Sequence, residues 1–157
     1  MPANFDFKAG SSSQPIAITT SGANYASGDV IGGIIELTYV NLESGRPVTL
    51  RSLTLRDKNG NAVAMEIYFF KATPTGGTYT DNGAIAWGSG DAANCVGTLA
   101  IAAGDWLTSN SMSFVNISGL GMKMPITGTS LFAIILAKGA ATLTDGNFTL
   151  DGQFDQN

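Results

Sequence analysis

Residues 49–70, TLRSLTLRDKNGNAVAMEIYFF, decide the fold. Leu53 and Leu55 fall on one face. Val63, Met65, Ile67 and Phe69 fall on another by strict alternation, the two-residue period of a half-buried strand. Between the runs stands Asp57-Lys58-Asn59-Gly60-Asn61. Asn-Gly tolerates the positive φ that a tight turn requires, so the stretch predicts one β-hairpin. Leu50 is out of phase with Leu53. A bulge near Arg51-Ser52 would return Leu50 to the core face and leave Arg51 and Arg56 both outward.

Similar signals extend in both directions. Residues 29–40, DVIGGIIELTYV, predict a strand with Ile31, Ile35, Leu37 and Tyr39 on one face, and Gly32-Gly33 marks a bend or bulge within it. LFAIILA at 131–137 predicts a central strand buried on both sides. Residues 16–20 and 111–117 read as shorter strands, 96–102 as a strand or a short Ala-rich segment, and Phe148, Leu150 and Phe154 share one face of a last strand. Residues 118–128 read as a Gly- and Met-containing connection, and Asp91-Ala92-Ala93 as the start of one helical turn. The loop 71–84, KATPTGGTYTDNGA, is of a length that often carries function. Residues 1–15 predict an arm. Phe5 and Phe7 flank Asp6 in it, and Ser11-Ser12-Ser13-Gln14-Pro15 breaks regular structure. Such an arm would dock through its two Phe on its own body or on a neighbouring subunit. The expectation is therefore an arm over 1–15 and a single domain over 16–157. The fold class expected is all-β: an antiparallel β-sandwich, jelly-roll-like, with about eight strands and almost no helix, an immunoglobulin-like sandwich standing second.

Charged residues make up 13% of the 157, against about 25% in an ordinary soluble domain. Such a surface has few charges to desolvate and suits stable, repeated protein contacts. The net charge of −4 argues against nucleic acid or an anionic membrane as the main ligand. All three arginines, Arg46, Arg51 and Arg56, fall within eleven residues; with the bulge, at least two of them make a basic stripe on the outer face, either for an acidic protein partner or as ordinary solvated strand charges.

The chain contains no histidine, which removes Ser-His-Asp and Cys-His catalysis and the common zinc sites. A single cysteine, Cys95, allows no internal disulfide and reads as a small buried residue. Asp57 to Asn61 looks like the start of an EF-hand loop, but Gly60 is at the fourth position and Tyr68 at the closing one, so a turn is expected. The loops around Asp81 and Asp91 leave calcium open. Carboxylate-pair hydrolysis would need two of Glu36, Glu43, Glu66 and the turn aspartates to converge. No catalytic residue and no cofactor is expected. Tyr79, Trp87 and Trp106 lie near loops, where they could stack on sugars or cap the ends of the core. The N-terminus shows no apolar leader, and the longest apolar run, at 131–137, is too short for a bilayer, so neither export nor a membrane is expected.

Tyr25-Ala26-Ser27-Gly28-Asp29-Val30-Ile31-Gly32-Gly33, residues 53–70, Thr80-Asp81-Asn82 and Leu131-Phe132-Ala133 carry a family resemblance. With these stretches the chain resembles the small tailed-phage virion proteins of jelly-roll fold that decorate or cement the capsid. The resemblance implies no enzyme and no cofactor. It implies a homo-oligomer, dimer or trimer, made in the host cytoplasm and placed on the virion surface. There it would bind the major capsid protein and bridge capsomers, with neither nucleic acid nor membrane as partner. That family has no fixed contact motif, so the contact residues expected are the chain's own Phe5, Phe7, Arg46, Arg51 and Arg56. The rival expectation is a receptor- or carbohydrate-binding module of a tail or virion surface, using Tyr79, Trp87 and Trp106.

Overall fold

A computed structural model of the chain describes residues 11–12 and 15–156. Phe5 and Phe7 lie outside the described residues. The strands are β1 (Ser11–Ser12), β2 (Ile16–Ile18), β3 (Asn24–Tyr25), β4 (Val30–Leu37), β5 (Val48–Asp57) and β6 (Met65–Phe70). They continue as β7 (Cys95–Ile101), β8 (Leu107–Ser109), β9 (Met112–Met124), β10 (Leu131–Ala137), β11 (Ala141–Thr142) and β12 (Phe148–Gln156). The protein is an antiparallel β-sandwich. One sheet runs β1-β12-β5-β9-β8, with β2 also on β12; the other runs β4-β10-β6-β7; β3 and β11 form a small separate ladder. In its principal strands the sandwich pairs β2-β12-β5-β9 with β4-β10-β6-β7. Among these the chain changes sheet at every step except β6 to β7, which is the strand order of a jelly roll.

The hairpin expected over 49–70 is not formed. β5 pairs with β12 and β9, while β6 pairs with β10 and β7, so the two strands lie in opposite sheets. Their apolar faces meet across the core instead: Leu53, Leu55, Val63, Met65, Ile67 and Phe69 belong to one buried cluster. The reason lies in Asp57, which is 1% exposed. Its carboxylate accepts the backbone N–H of Asn59 (2.8 Å) and of Asn61 (2.8 Å), together with Asn61 Nδ2 (3.0 Å). A loop held open by a side chain replaces the two-residue turn, and the chain has room to cross between sheets.

The expected bulge is present. Ser52 faces Gln153 and Leu50 faces Phe154, so Arg51 is the extra residue and Leu50 is fully buried. On the other flank Leu50 faces Met122 and Ser52 faces Ser118, which leaves Gly119, Leu120 and Gly121 opposite Arg51. The connection expected at 118–128 is thus strand as far as Met124, and its glycines (φ 70° and 57°) shape the bulge. In β4, Ile34 faces Ile134 and Ile31 faces Ile135, so Gly32 and Gly33 bulge out together. Only glycine fits at Gly32: its φ is 76°, and a Cβ there would stand 2.1 Å from Ile18 Cγ2. Tyr39 does not continue the inward face of β4. The strand ends at Leu37, and Tyr39 is 70% exposed at φ 55°. Ser11 and Ser12, expected to break regular structure, form a ladder with Phe154 and Gln153. β2 covers β12 only at residues 148–150, so the edge beyond still has backbone groups to satisfy.

β10 explains the outermost layer. Leu131, Ala133, Ile135 and Ala137 face the sandwich core. Ile134 and Leu136 face outward, yet are buried in a second cluster with Val30, Phe70 and Tyr79. The long segment after β6 folds back over this outer face and supplies Tyr79 and Ile85. Each large apolar side chain buried this way contributes about 1.5–3 kcal/mol, enough in sum to order the segment.

Candidate functional site

The segment 71–94 is fixed by two carboxylates. Asp81 Oδ1 accepts the Tyr25 hydroxyl (2.7 Å) and the Gly32 N–H (2.6 Å), and its Oδ2 accepts the Ser21 N–H (2.7 Å). Asp91, 3% exposed, accepts the N–H of Thr75 (3.0 Å) on Oδ1, and on Oδ2 the N–H of Gly76 (2.9 Å) and the Tyr79 hydroxyl (2.5 Å). The Tyr79 hydroxyl holds the Asp91 carboxyl below the usual carboxylate range, against the opposing effect of desolvation, and the N–H groups of Thr75 and Gly76 add to it. Burial, then the Asp91 hydrogen bond, raises the Tyr79 phenol. Both carboxylates are engaged by N–H and O–H donors, so these loops use them as staples for the chain itself. Among the described residues no group of three or more His, Cys, Asp or Glu could hold a metal ion.

This scaffold carries Trp87, which is 47% exposed. Its ring is tilted against Tyr68 (centroids 4.8 Å apart), Tyr79 (5.9 Å) and Phe70 (6.2 Å). Beside it opens a cleft of about 220 Å³ lined by Tyr68, Phe70, Trp87, Gly88, Ala92 and Cys95. The Tyr68 hydroxyl is engaged elsewhere. It donates to Glu66 Oε2 (2.8 Å), whose other oxygen pairs with Lys138 (3.2 Å). The lining is therefore apolar. Pockets for drug-sized ligands run from about 300 Å³ upward, so this one matches an inserted side chain better. Cys95 is half-buried and lines the cleft, where full burial was expected. Tyr68 and Phe70 were not singled out as site residues in the sequence. The signal for them is Tyr68-Phe69-Phe70, apolar on both faces of one strand, which demands cover on both sides.

The three aromatic candidates separate. Trp106 is 6% exposed and plugs the main core, its indole N–H donating to the Val63 carbonyl (2.9 Å). Tyr79 is 7% exposed and anchors the loop from beneath, which leaves Trp87 as the accessible ring of the set. The arginines separate as well. Arg46 pairs with Glu43 (2.6 Å) in the β4–β5 loop, and Arg51 pairs with Asp155 on the bulge. Arg56 stands outward within β5. Arg51 and Arg56 thus both face outward from the sheet, as the bulge requires, while Arg46 stands apart in the loop.

Arg51 and Arg56 share one surface, the outer face of the β12-β5-β9 sheet, where Arg51 reaches Asp155. Leu107, Phe114, Arg56 and Thr149 follow one another across four strands. Asn116 and Thr54 form the next row, hydrogen-bonded to each other at 2.9 Å. Ser52 and Gln153 form another, bonded at 3.1 Å. Leu107 is 77% exposed and Phe114 37%. The face is polar and partly hydrogen-bonded within itself, with an aromatic, a leucine and an arginine along one row; Asp151 continues the Asn116–Thr54 row, and Arg51, Asp155 and Lys123 lie further along the face. No family model matches the chain, and comparison with curated proteins and with solved structures likewise found no match.

Proposed function

We propose that the chain is a non-enzymatic structural subunit that attaches to an assembled protein shell on a virion surface. There it strengthens the shell by bridging its capsomers, as the tailed-phage decoration proteins it resembles do. The observation that carries this reading is the outer face of the β12-β5-β9 sheet. Interface cores are depleted of charge and enriched in aromatic residues and arginine, and the Leu107, Phe114, Arg56 row has that composition. Thr54 with Asn116 and Ser52 with Gln153 already bond each other, so covering these four strands few of their polar groups, while Asp151 and Arg56 leave charges for a partner to meet. A subunit that binds the assembled shell better than its free parts stabilises it by mass action alone. The shell's major capsid protein is the partner in this reading, and neither membrane nor nucleic acid enters it.

The sugar-binding alternative rests on Trp87. It receives less support, because the cleft beside that ring offers a sugar few hydrogen-bonding groups. Immunogold labelling of virus particles from the source, with antibody to the recombinant protein, tests the proposal. Gold over the heads is expected. Gold at the tail tip would favour the receptor-binding module, and unlabelled particles would overturn both. A Phe114→Asp variant that keeps its melting temperature should lose attachment to isolated heads; full attachment would remove this face from the reading.

A further inference from the structure

Three aromatic rings enclose the cleft beside Trp87. Phe70, 1% exposed, forms its floor. Tyr68 and Trp87 form two walls, their ring planes inclined at 58° and their centroids 4.8 Å apart. Gly88, Ala92 and Cys95 close the remaining side. That side is a tight turn. Asp91 N–H bonds the Gly88 carbonyl (3.1 Å), and the Asp91 carbonyl accepts the N–H of Asn94 (2.9 Å) and of Cys95 (3.2 Å). The Tyr79 ring supports Trp87 at 5.9 Å. The walls are thus held in place by the chain itself, and each aromatic face carries the negative pole of its quadrupole.

The hydroxyls of both tyrosines that touch Trp87 end on carboxylates. Tyr68 donates to Glu66 (2.8 Å), and Tyr79 donates to Asp91 (2.5 Å). A phenol whose proton is held by a carboxylate is polarised, and its ring gains electron density. Lys138 offsets the Glu66 charge (3.2 Å), whereas Asp91 is bonded by neutral N–H and O–H donors and keeps its charge. Lys71, next in the chain after Phe70, lines a separate hollow with Glu36. The cleft therefore pairs a negative potential with an apolar lining. This combination selects among occupants. A neutral apolar side chain would leave the potential unused. A primary ammonium or a guanidinium would give up hydrogen bonds to water and find few acceptors inside. A quaternary ammonium has no N–H to satisfy, spreads its positive charge over methyl groups, and is of side-chain size.

We propose that the cleft beside Trp87 binds the trimethylammonium head of a small molecule, held against the faces of Tyr68, Phe70 and Trp87 by cation–π attraction. The site lies on the sheet opposite the shell-binding face, so the inference is independent of that reading.

NMR of the isotope-labelled full chain tests it, with choline chloride as the ligand at constant ionic strength and the Trp87 indole N–H as the probe. A saturable shift is expected, with a dissociation constant on the order of 1 mM. The tert-butyl analogue of choline has the same shape without the charge, and should bind at least about tenfold more weakly. Trp87→Leu keeps an apolar wall but removes the aromatic face. Choline binding to this variant, followed at the Cys95 amide, should weaken by at least about tenfold. No saturable shift up to about 50 mM choline would overturn the proposal. So would equal binding of the tert-butyl analogue, which makes the cleft a seat for a neutral apolar group, or unchanged choline binding in Trp87→Leu, which places the ligand elsewhere.

Discussion

Asp81→Ala should cost the fold about 3–5 kcal/mol, through three donors that lose one acceptor group. The Ser21 N–H (2.7 Å), the Gly32 N–H (2.6 Å) and the Tyr25 hydroxyl (2.7 Å) all bond this carboxylate. Hydrogen bonds to a charged group contribute about 1.5–3 kcal/mol each. The Ser21 end is exposed and water can replace the carboxylate there. Tyr25 is 1% exposed, and water does not reach it without movement. Gly32 lies inside the bulge. Stranding these two donors costs about 1–3 kcal/mol apiece, and the losses overlap because they share one acceptor. Asp81→Asn retains one acceptor oxygen for Gly32 and Tyr25 but turns an amide N–H toward Ser21, so about 1–2 kcal/mol is expected. Urea unfolding followed by tryptophan fluorescence should show the alanine midpoint falling by on the order of 2 M at an unchanged slope. A Trp106→Phe background isolates Trp87, which rides on the stapled segment. An early transition in that signal alone would mean that the segment detaches before the sandwich unfolds. A loss below about 1 kcal/mol for alanine would refute the reasoning and leave apolar cover as what holds the segment.

Gly88→Ala should cost about 2–3 kcal/mol and raise the exposure of Trp87 in quenching experiments, because a Cβ there would stand 2.2 Å from the Gly76 carbonyl carbon. The depressed pKa of Asp91 makes its contribution complete above the ordinary carboxylate value of about 3.9 and lost as pH falls through the lower folded value. Trp87 emission should therefore shift in acid, and less so in Asp91→Asn. Tyr25 and Tyr79 have phenols raised chiefly by burial, so their stabilisation holds below about pH 10 and disappears as pH climbs through the higher folded values. Arg51→Ala should cost no more than about 1 kcal/mol in thermal melts, since its pair with Asp155 is largely exposed. Tyr39→Asn should hold or raise stability by up to about 1 kcal/mol in urea unfolding, because asparagine tolerates the positive φ better.

Periodicity and glycine carried most of the fold. Alternation identified the inward faces of β5, β6 and β12, and the phase break at Leu50 located the bulge, because one inserted residue must reverse which face a side chain takes. Pairing was another matter. Residues 49–70 contain two good strands and a strong turn signal, and nothing local distinguishes two strands side by side from two strands facing across a core. Both arrangements require the same alternation. Asp57 decided between them through its burial, a tertiary fact. For the same reason Gly119 and Gly121 read as a connection: a glycine that shapes a bulge is indistinguishable, in one sequence, from a glycine that ends a strand. Of the candidate site, the aromatic residue types were legible but their exposure was not. Trp87 and Trp106 sit in similar sequence surroundings, and only the Val63 carbonyl and the second apolar layer assign one to the core and the other to the surface.

The low charge of the chain follows from how its acids are used. A jelly roll has almost no helix, and its long crossing connections leave backbone N–H groups that no ladder satisfies. Asp57, Asp81 and Asp91 each accept two or more such bonds, backbone or side chain, at or near the surface of the core. A quarter of the 12 acidic residues thus serve the chain's own turns and present little charge outward. Glu43, Glu66 and Asp155 pair with Arg46, Lys138 and Arg51. The cleft beside Trp87 therefore presents a surface that a partner can cover without stripping water from a charge, whereas the sheet face presents Arg56 for a partner to meet. That property follows from the same loop chemistry that moved β5 and β6 into different sheets. Substitutions that unstaple the loops should accordingly disturb binding and folding together, whereas Phe114→Asp should affect binding alone.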